Sequence, residues 1–388
     1  LLILLHILDW IIYIAFFLNV MYLFVYSLAS HFTKPKKPQV ALSHKRIAIL
    51  IAAYKEDSVI EECVDSCLKQ DYSSSNYDVV VISDHMSINT NDRLRSLPIK
   101  ILQVDFKEST NTKSLKAAIS HLQGCDYDIV LIVDADNIVG KSYLSDINDA
   151  FANTEVQAVQ THRVAKNKNT RMAYLDAISE EINNSIFRLG HVNIGMPAAL
   201  IGSGMAFRYP LFCSIMESNQ SINGFDRFLE LKLLYEQIFI RYLPDTYIYD
   251  EKVQNTCSFF RQRRRWLSAQ CYNISNFKQY IFHSIYNRKW GFCDKIYQHI
   301  TLPRILLLGL TFIFAILFSF LLPHISYKWW GLLFFLLIGL ALAIPRKLWT
   351  FRFIKSLFLV PYSFILMIAN LFFLKQENKK FSHTKHGY

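Results

Sequence analysis

Glycine is scarce in this chain, 12 residues in 388, and none falls in a G-x-G-x-x-G or G-x-x-x-x-G-K-[ST] arrangement. Both the dinucleotide-binding fingerprint and the P-loop need glycines where backbone approaches phosphate, so both are excluded. Any phosphate must be held by metal and side chains. Cysteine is sparse and odd in number: Cys63, Cys67, Cys125, Cys213, Cys257, Cys271 and Cys293. With no paired C-x-x-C spacing, these point to reduced thiols rather than a zinc module. Internal repeats and low-complexity tracts are missing too.

Charge is absent from long stretches at both ends, although the chain as a whole carries a net charge of +11. Residues 10–28 contain no charged side chain, and roughly 20 apolar residues cross a bilayer core. No basic region precedes that run and no small-residue cleavage site follows it, so a spanning helix is expected rather than a cleaved signal peptide. A chain that opens on Leu1 is also expected to lack a few native residues before it. Residues 305–322 and 329–344 form a candidate hairpin of two further spans. Residues 357–374 are apolar as well, but Pro361 and Asn370 leave three readings open: crossing, re-entering or lying at the interface.

Basic residues flank these runs, at Lys34, Lys36 and Lys37, at Arg346, Lys347, Arg352 and Lys355, and at Lys375, Lys379, Lys380 and Lys385. The positive-inside rule places all three clusters in the cytoplasm, which favours a last segment that does not cross. The flanks account for most of the positive charge, and no nucleic-acid partner is expected. The expected plan is therefore an N-terminal transmembrane helix (1–30), a basic linker (31–45), a cytoplasmic domain (46–277), an interfacial amphipathic segment (278–303), C-terminal membrane segments (304–374) and a basic tail (375–388).

Within the central domain, apolar runs of strand length at residues 46–53, 77–82, 99–104 and 128–133 alternate with helical patterns at 58–69 and 113–122. That alternation predicts an α/β fold with a mostly parallel sheet and helices on both faces. Ligands bind beyond the carboxyl ends of such strands. Tyr54, Glu56, Asp84 and Asp134 all fall there.

Two short motifs carry the chemistry. Asp134 and Asp136, just past a buried strand, can present two carboxylates to a hard divalent cation, Mg²⁺ or Mn²⁺, that also grips a diphosphate. About 130 residues on, Gln262-Arg263-Arg264-Arg265-Trp266 offers an arginine able to pair bidentately with phosphate oxygens and an indole face for a sugar ring. Asp84 can accept from a uracil ring N–H. A solvated turn, a helix cap and a lipid-headgroup cluster are the bland readings of Asp84, Asp226 and the arginines Arg261, Arg263 and Arg264.

These motifs resemble those of the inverting, membrane-embedded members of glycosyltransferase family 2, the group containing cellulose, chitin, hyaluronan and poly-N-acetylglucosamine synthases. The resemblance covers residues 46–277 and the membrane layout. Ala53-Tyr54-Lys55-Glu56-Asp57 looks like the family's first-strand motif, with Lys55 in place of asparagine. Asp84 matches the nucleobase aspartate, Lys113 a nucleotide-side lysine, Asp134 and Asp136 the metal motif, and Gln262, Arg265 and Trp266 the Q-x-x-R-W motif. Asp226 matches the catalytic base of the Thr-Glu-Asp motif, although Phe225 replaces its glutamate; Glu230, one turn on, is a reserve. Gly202-Ser203-Gly204-Met205-Ala206-Phe207 resembles the acceptor-side loop.

The resemblance implies a GT-A (Rossmann-like) nucleotide-sugar domain and transfer of a hexosyl or N-acetylhexosaminyl group, with inversion, from a UDP-sugar. The acceptor would be a polysaccharide or lipid-linked sugar at the cytoplasmic face of a bacterial plasma membrane. Three or four membrane segments are few for polymer export, which would need a partner or oligomer. The rival expectation is a non-catalytic, membrane-anchored nucleotide-sugar-binding subunit, motivated by Lys55, Phe225 and Ile88. His383 and His386 near the terminus are read as solvated.

Overall fold

The computed structural model describes residues 2–32 and 37–372. Lys34, Lys36, the basic tail from Lys375 and the His383/His386 pair lie outside the described residues.

The chain opens with α1 (Leu2–Ala29). The central domain then runs β1 (Ile47–Tyr54), α2 (Ile60–Leu68), β2 (Tyr77–Asp84), α3 (Ile88–Arg95), β3 (Lys100–Val104), α4 (Asn111–His121), β4 (Ile129–Asp134), β5 (Ile138–Val139), α5 (Tyr143–Ala150) and β6 (Ala158–Ala165). It continues through α6 (Arg171–Asn184), a π-helical turn at Ser185–Gly190, α7 (His191–Asn193), β7 (Met205–Arg208), α8 (Tyr209–Ser218), α9 (Phe225–Tyr235), β8 (Ile240–Asp250) and α10 (Thr256–Phe277). After α11 (Ile281–Tyr286) and α12 (Trp290–Ile300) come α13 (Arg304–Leu321), α14 (Pro323–Leu342), α15 (Phe351–Leu357) and α16 (Val360–Phe372).

The strands form one sheet in the order β3-β2-β1-β4-β7-β6-β8-β5. β3, β2, β1 and β4 are parallel, as expected from the alternation of strand and helix. The other half is mixed: β7 runs antiparallel to β4 and β6, β8 is parallel to β6, and β5 is antiparallel to β8. β1 and β4 are buried nearly end to end because helices cover both faces. One face packs Ile49, Ile51, Cys63, Val64 and Leu131 together; the other packs Leu50, Leu115, Val130, Phe207 and Leu229. In β8, Pro244 cannot donate to the ladder, and the register against β6 shifts between Thr161 and His162.

Among the described residues, three helices, α1, α13 and α14, are long and apolar enough to cross a membrane, in keeping with membrane association. At 1.5 Å per residue α1 spans about 42 Å, more than a hydrocarbon core of about 30 Å. The bundle is close-packed. Ser27 donates to the Gly339 carbonyl at 2.6 Å, and Phe16, Phe314, Phe318 and the fully buried Trp329 fill its interior. Lys328 pairs with the buried Asp9, and Asp9 also accepts from Trp329 Nε1 at 2.9 Å.

The bundle is also tied to the domain. α1 lies so close to the π-helical turn that a Cβ on Gly190 would overlap the Tyr26 carbonyl. Tyr22 and Tyr26 both donate to Asp294 of α12, at 2.8 and 3.1 Å. α15 and α16 are bent by 42°, and both ends of the pair touch the domain. Tyr174 of α6 donates to the Leu348 carbonyl at 2.9 Å, and Asn370 of α16 donates to the Phe260 carbonyl of α10 at 3.1 Å. Midway, Phe364 lies against α13 where Gly309 leaves room.

Candidate active site

Sheet topology gathers the acidic residues. β1 and β4 are adjacent and parallel, so Tyr54 and Asp134 leave the sheet at the same edge; β8, across β7 and β6, adds Asp250. Carboxylate oxygens of Asp134, Asp136 and Asp250 lie within 4.8 Å of one another. Asp136 is 5% exposed. Asn137 Nδ2 donates to its Oδ1 at 3.0 Å and to Asp250 at 3.2 Å, and the Glu251 N–H reaches its Oδ2 at 3.3 Å. The Asp134 N–H donates to Ser203 Oγ at 3.0 Å, and Ser203 donates to Asn137 Oδ1. The Gly202–Phe207 loop thus buttresses the pair of aspartates. Gly204 adopts φ +64°, and a side chain there would collide with Thr161 and Ile248.

Three carboxylates this close repel unless something offsets their charge. Behind them Arg163 and Lys252 contact Asp250 at 3.6 and 2.6 Å, and the same two cations contact Glu180 at 2.8 and 3.4 Å. Arg188 reaches Glu180 at 3.3 Å. Burial alone would raise both carboxyls. The surrounding Arg163 and Lys252, with Arg188 at Glu180, instead hold them below the usual carboxylate range. Burial would likewise lower Lys252, but Asp250 and Glu180 push it up. Glu180 and Asp250 are thereby favoured as carboxylates, and the oxygen-only donor set of Asp134, Asp136 and Asp250 fits a hard divalent cation.

Asp226 stands in the first turn of α9 and is half-buried. The cap position belongs to Gly224, at φ +71°, so Asp226 is not the capping residue. Gly224 also sets the approach of α9 to α10: a Cβ there would lie 2.9 Å from that of Ala269. This contact brings Asp226 beside the helix carrying Gln262, Arg265 and Trp266. Glu230 is engaged elsewhere, 2.8 Å from Lys295 and accepting from the Leu200 N–H at 2.9 Å.

Tyr54, Glu56, Asp134, Asp136, Asp226, Gln262, Arg265 and Trp266 all line a single cleft of about 810 Å³. Gln262 presents a buried Oε1 without a hydrogen-bond partner. Arg263 points inward rather than to a lipid surface: it pairs with the buried Asp176 and stacks on Trp266 and Phe259 at 4.3 and 4.7 Å. The cleft continues onto apolar side chains of the membrane-side helices, among them Leu308, Leu340, Ile344, Phe353 and Met367.

Asp84 and Lys113 do not line that cleft. Asp84 is 1% exposed at the end of β2, level with Tyr54 in the register. Its Oδ1 meets His85 Nδ1 at 2.6 Å, and its Oδ2 is buried without a partner. His85, at φ +54°, meets Asp105 with its other nitrogen at 3.0 Å. Lys113, in the first turn of α4, donates to the Glu108 carbonyl at 2.7 Å. Its neighbours Asn111 and Thr112 reach the cleft instead. Among residues not foreseen, Asp250 had one legible signal: it ends the alternating run Tyr247-Ile248-Tyr249.

Comparison with known proteins follows the same lines. A family profile described as "Glycosyltransferase like family 2" matches residues 44–269. The beta-monoglucosyldiacylglycerol synthase of Trichormus variabilis is 25% identical over 251 residues, 62% of this chain and 53% of that protein. The probable glycosyltransferase YdaM of Bacillus subtilis is 22% identical over 246 residues, 61% of this chain and 58% of its own. The chain therefore spans about half the length of the curated relatives it matches. The solved mannosyltransferase PcManGT from Pyrobaculum calidifontis, in complex with GDP-Man and Mn²⁺, shares the fold with a TM-score of 0.51 at 18% identity, over 85% of this chain and 94% of that one. These relatives are not specifically cellulose or chitin synthases, so the likeness carries the family and not that subgroup.

Proposed function

This chain belongs to the glycosyltransferase-like family 2, and from that premise we propose that it transfers a sugar from a UDP-sugar, with inversion, to a lipid acceptor taken from the cytoplasmic leaflet. It is a glycosyltransferase that uses a nucleotide-sugar donor. The observation that carries the finer reading is the continuity of one cleft from the carboxylates to the apolar lining on α13, α14, α15 and α16. A lipid with its headgroup at Asp226 and its chains on that lining suits both ends. Polymer export suits the bundle less, because aromatic side chains fill its interior.

In the transfer, the acceptor oxygen forms a bond to the anomeric carbon as the bond from that carbon to the diphosphate oxygen breaks. Asp226 takes the acceptor's hydroxyl proton, and UDP departs. A divalent cation held by Asp134, Asp136 and Asp250 would neutralise charge on the departing diphosphate. Arg265 supplies cationic hydrogen bonds on the same side, and Trp266 a flat face for the sugar. Asp84, with its unpartnered buried oxygen, accepts from the nucleobase.

The departures that motivated a non-catalytic subunit leave the carboxylate cluster of Asp134, Asp136 and Asp250 in place. The Lys55 ammonium sits 5.2 Å over the Tyr54 ring, Phe225 is core, and Ile88 is 78% exposed at the start of α3. α15 and α16 are read as a re-entrant pair, since both of its ends contact the domain.

The test is to incubate the detergent-solubilised protein with labelled UDP-sugars and GDP-mannose, Mn²⁺ or Mg²⁺, and a membrane lipid extract. Label from one UDP-sugar should enter the organic phase with release of UDP, and not with Asp136→Ala. Label remaining in water-soluble glycan would overturn the lipid acceptor, and use of GDP-mannose would overturn the donor.

A further inference from the structure

Between Asp294 and Glu377 the chain carries no acidic residue, so every cation in that stretch must find its counter-charge elsewhere. Lys295 finds Glu230, Lys328 finds Asp9, and Lys347 reaches Glu181 at 3.4 Å. Arg346, Arg352 and Lys355 are exposed and have no carboxylate in ion-pair contact among the described residues. These three and Lys347 stand within ten residues of one another, directly after α14. That helix ends level with α1, where His31 Nε2 lies 2.9 Å from the Leu342 carbonyl. Both helices are long and apolar enough to cross a membrane, so the turn that follows Leu342 lies at a bilayer surface.

The segment has two faces. Leu348, Phe353 and Ser356 are buried, and Phe353 lines the cleft. Phe351, Ile354 and Phe358 are exposed among the cations, and the Lys355 ammonium lies 4.7 Å over the Phe351 ring. Arginine and lysine interleaved with exposed apolar side chains is the pattern of a helix seated on an anionic bilayer surface. The domain adds to it. Lys347 lines a pocket of about 170 Å³ with Lys168, Tyr247 and Tyr249. Its one carboxylate, Glu181, is also met by His162 at 3.0 Å, whereas Lys168 is exposed and has no carboxylate in ion-pair contact among the described residues. We propose that the exposed face of residues 345–358, together with Lys168, binds anionic phospholipid headgroups of the leaflet at which α14 ends. A free phosphate would satisfy the cations but leave Phe351, Ile354 and Phe358 in water; a lipid surface meets both needs. The binding does not depend on which donor or acceptor the cleft takes, although through Phe353 the lipid-bound face and one wall of the cleft belong to the same helix.

The experiment places the full chain in phosphatidylcholine vesicles doped with equal trace amounts of photoactivatable phosphatidylglycerol and photoactivatable phosphatidylcholine, and reads the adducts by peptide mass spectrometry. Residues 345–358 should take label from phosphatidylglycerol in preference to phosphatidylcholine, whereas the middle of α13, which carries no charge, should take both alike. Arg352→Gln, Lys355→Gln and Lys168→Gln should each lower that preference by up to about fivefold, one cation's share of the attraction to an anionic surface. Arg352→Lys should keep most of it, which separates lost charge from misfolding. Raising the sodium chloride concentration should weaken it as well. Equal labelling of the segment by the two lipids, or no label there from either, would overturn the proposal, and an unchanged preference in Lys168→Gln would overturn the part given to the pocket. Loss of the preference in inorganic phosphate but not in sodium chloride of equal ionic strength would assign these cations to a free anion instead.

Discussion

Glu180 is the keystone of the buried charge cluster behind the active site, and Glu180→Gln tests how much the cluster contributes to stability. Its side chain is 3% exposed and touches Arg163 at 2.8 Å, Arg188 at 3.3 Å and Lys252 at 3.4 Å. In the wild type these three cations face two carboxylates, Glu180 and Asp250. In the variant they face one, at nearly the same volume. Removing one partner from a buried ionic network costs about 3–5 kcal/mol, because the remaining charges stay desolvated. At about 2 °C per kcal/mol for a large domain, the apparent Tm should fall by about 6–10 °C in a detergent melt at fixed scan rate. pH adds a second signature. The folded-state pKa of Glu180 is depressed below its unfolded value, so its contribution is complete above about pH 4.3 and is lost as pH falls towards the folded value. Wild-type stability should therefore drop in acid more steeply than that of the variant, with Asp250 accounting for part of the residual slope. A Tm loss under about 2 °C at pH 7, or identical acid profiles, would refute the argument.

Asp226→Asn should lower kcat by about 10²–10⁴-fold with little change in donor KM; steady-state UDP release checks this, and a kcat within a factor of three of wild type would move the base elsewhere. Asp250→Asn should raise the Mn²⁺ concentration for half-maximal activity by about 10–100-fold, whereas an unchanged metal titration would confine Asp250 to the ion cluster. Gly190→Ala should destabilise the chain by about 1–3 kcal/mol, since the added methyl meets backbone on α1 rather than a flexible side chain; a melt within 1 °C of wild type would show that α1 docks more loosely than described.

The parallel half of the sheet was legible because strands buried on both faces read as unbroken apolar runs, as in 47–53 and 129–133. The other half was not. β5 is two residues long, β7 follows a glycine loop, and β8 is broken by Pro244. α6 shows the limit most clearly. Asp176, Glu180 and Glu181 would ordinarily mark a solvated face, yet all three are buried, because Arg263, Arg163 and His162 come to them from elsewhere in the chain. A carboxylate's partner 17 to 87 residues away leaves no periodic trace. The same blindness hid Asp250 and gave Arg263 a membrane role in place of an inward one. Tyr54, Glu56, Asp134 and Asp136, at and just past the ends of β1 and β4, and Gln262, Arg265 and Trp266 on α10 line the cleft because local geometry brings them there, whereas Asp84 at the end of β2 does not line it. Lys113 was not placed that way: its ammonium turns back on its own loop.

α10 joins the two ends of the cleft mechanically. Ala269 meets the tight turn at Gly224 that presents Asp226, and the Phe260 carbonyl anchors Asn370 of α16, whose Met367 lines the apolar end. Between those contacts, and on the same helix, stand Gln262, Arg265 and Trp266. Asp226, the proposed base, on a neighbouring helix and an apolar wall on α16 are therefore both referenced to one rod about 33 Å long. Precise placement of reacting groups is worth many powers of ten in rate. Under the proposed lipid-acceptor reading, an acceptor held at both ends by elements packed on that rod would meet the donor sugar in a defined orientation without a water-filled passage through the bundle.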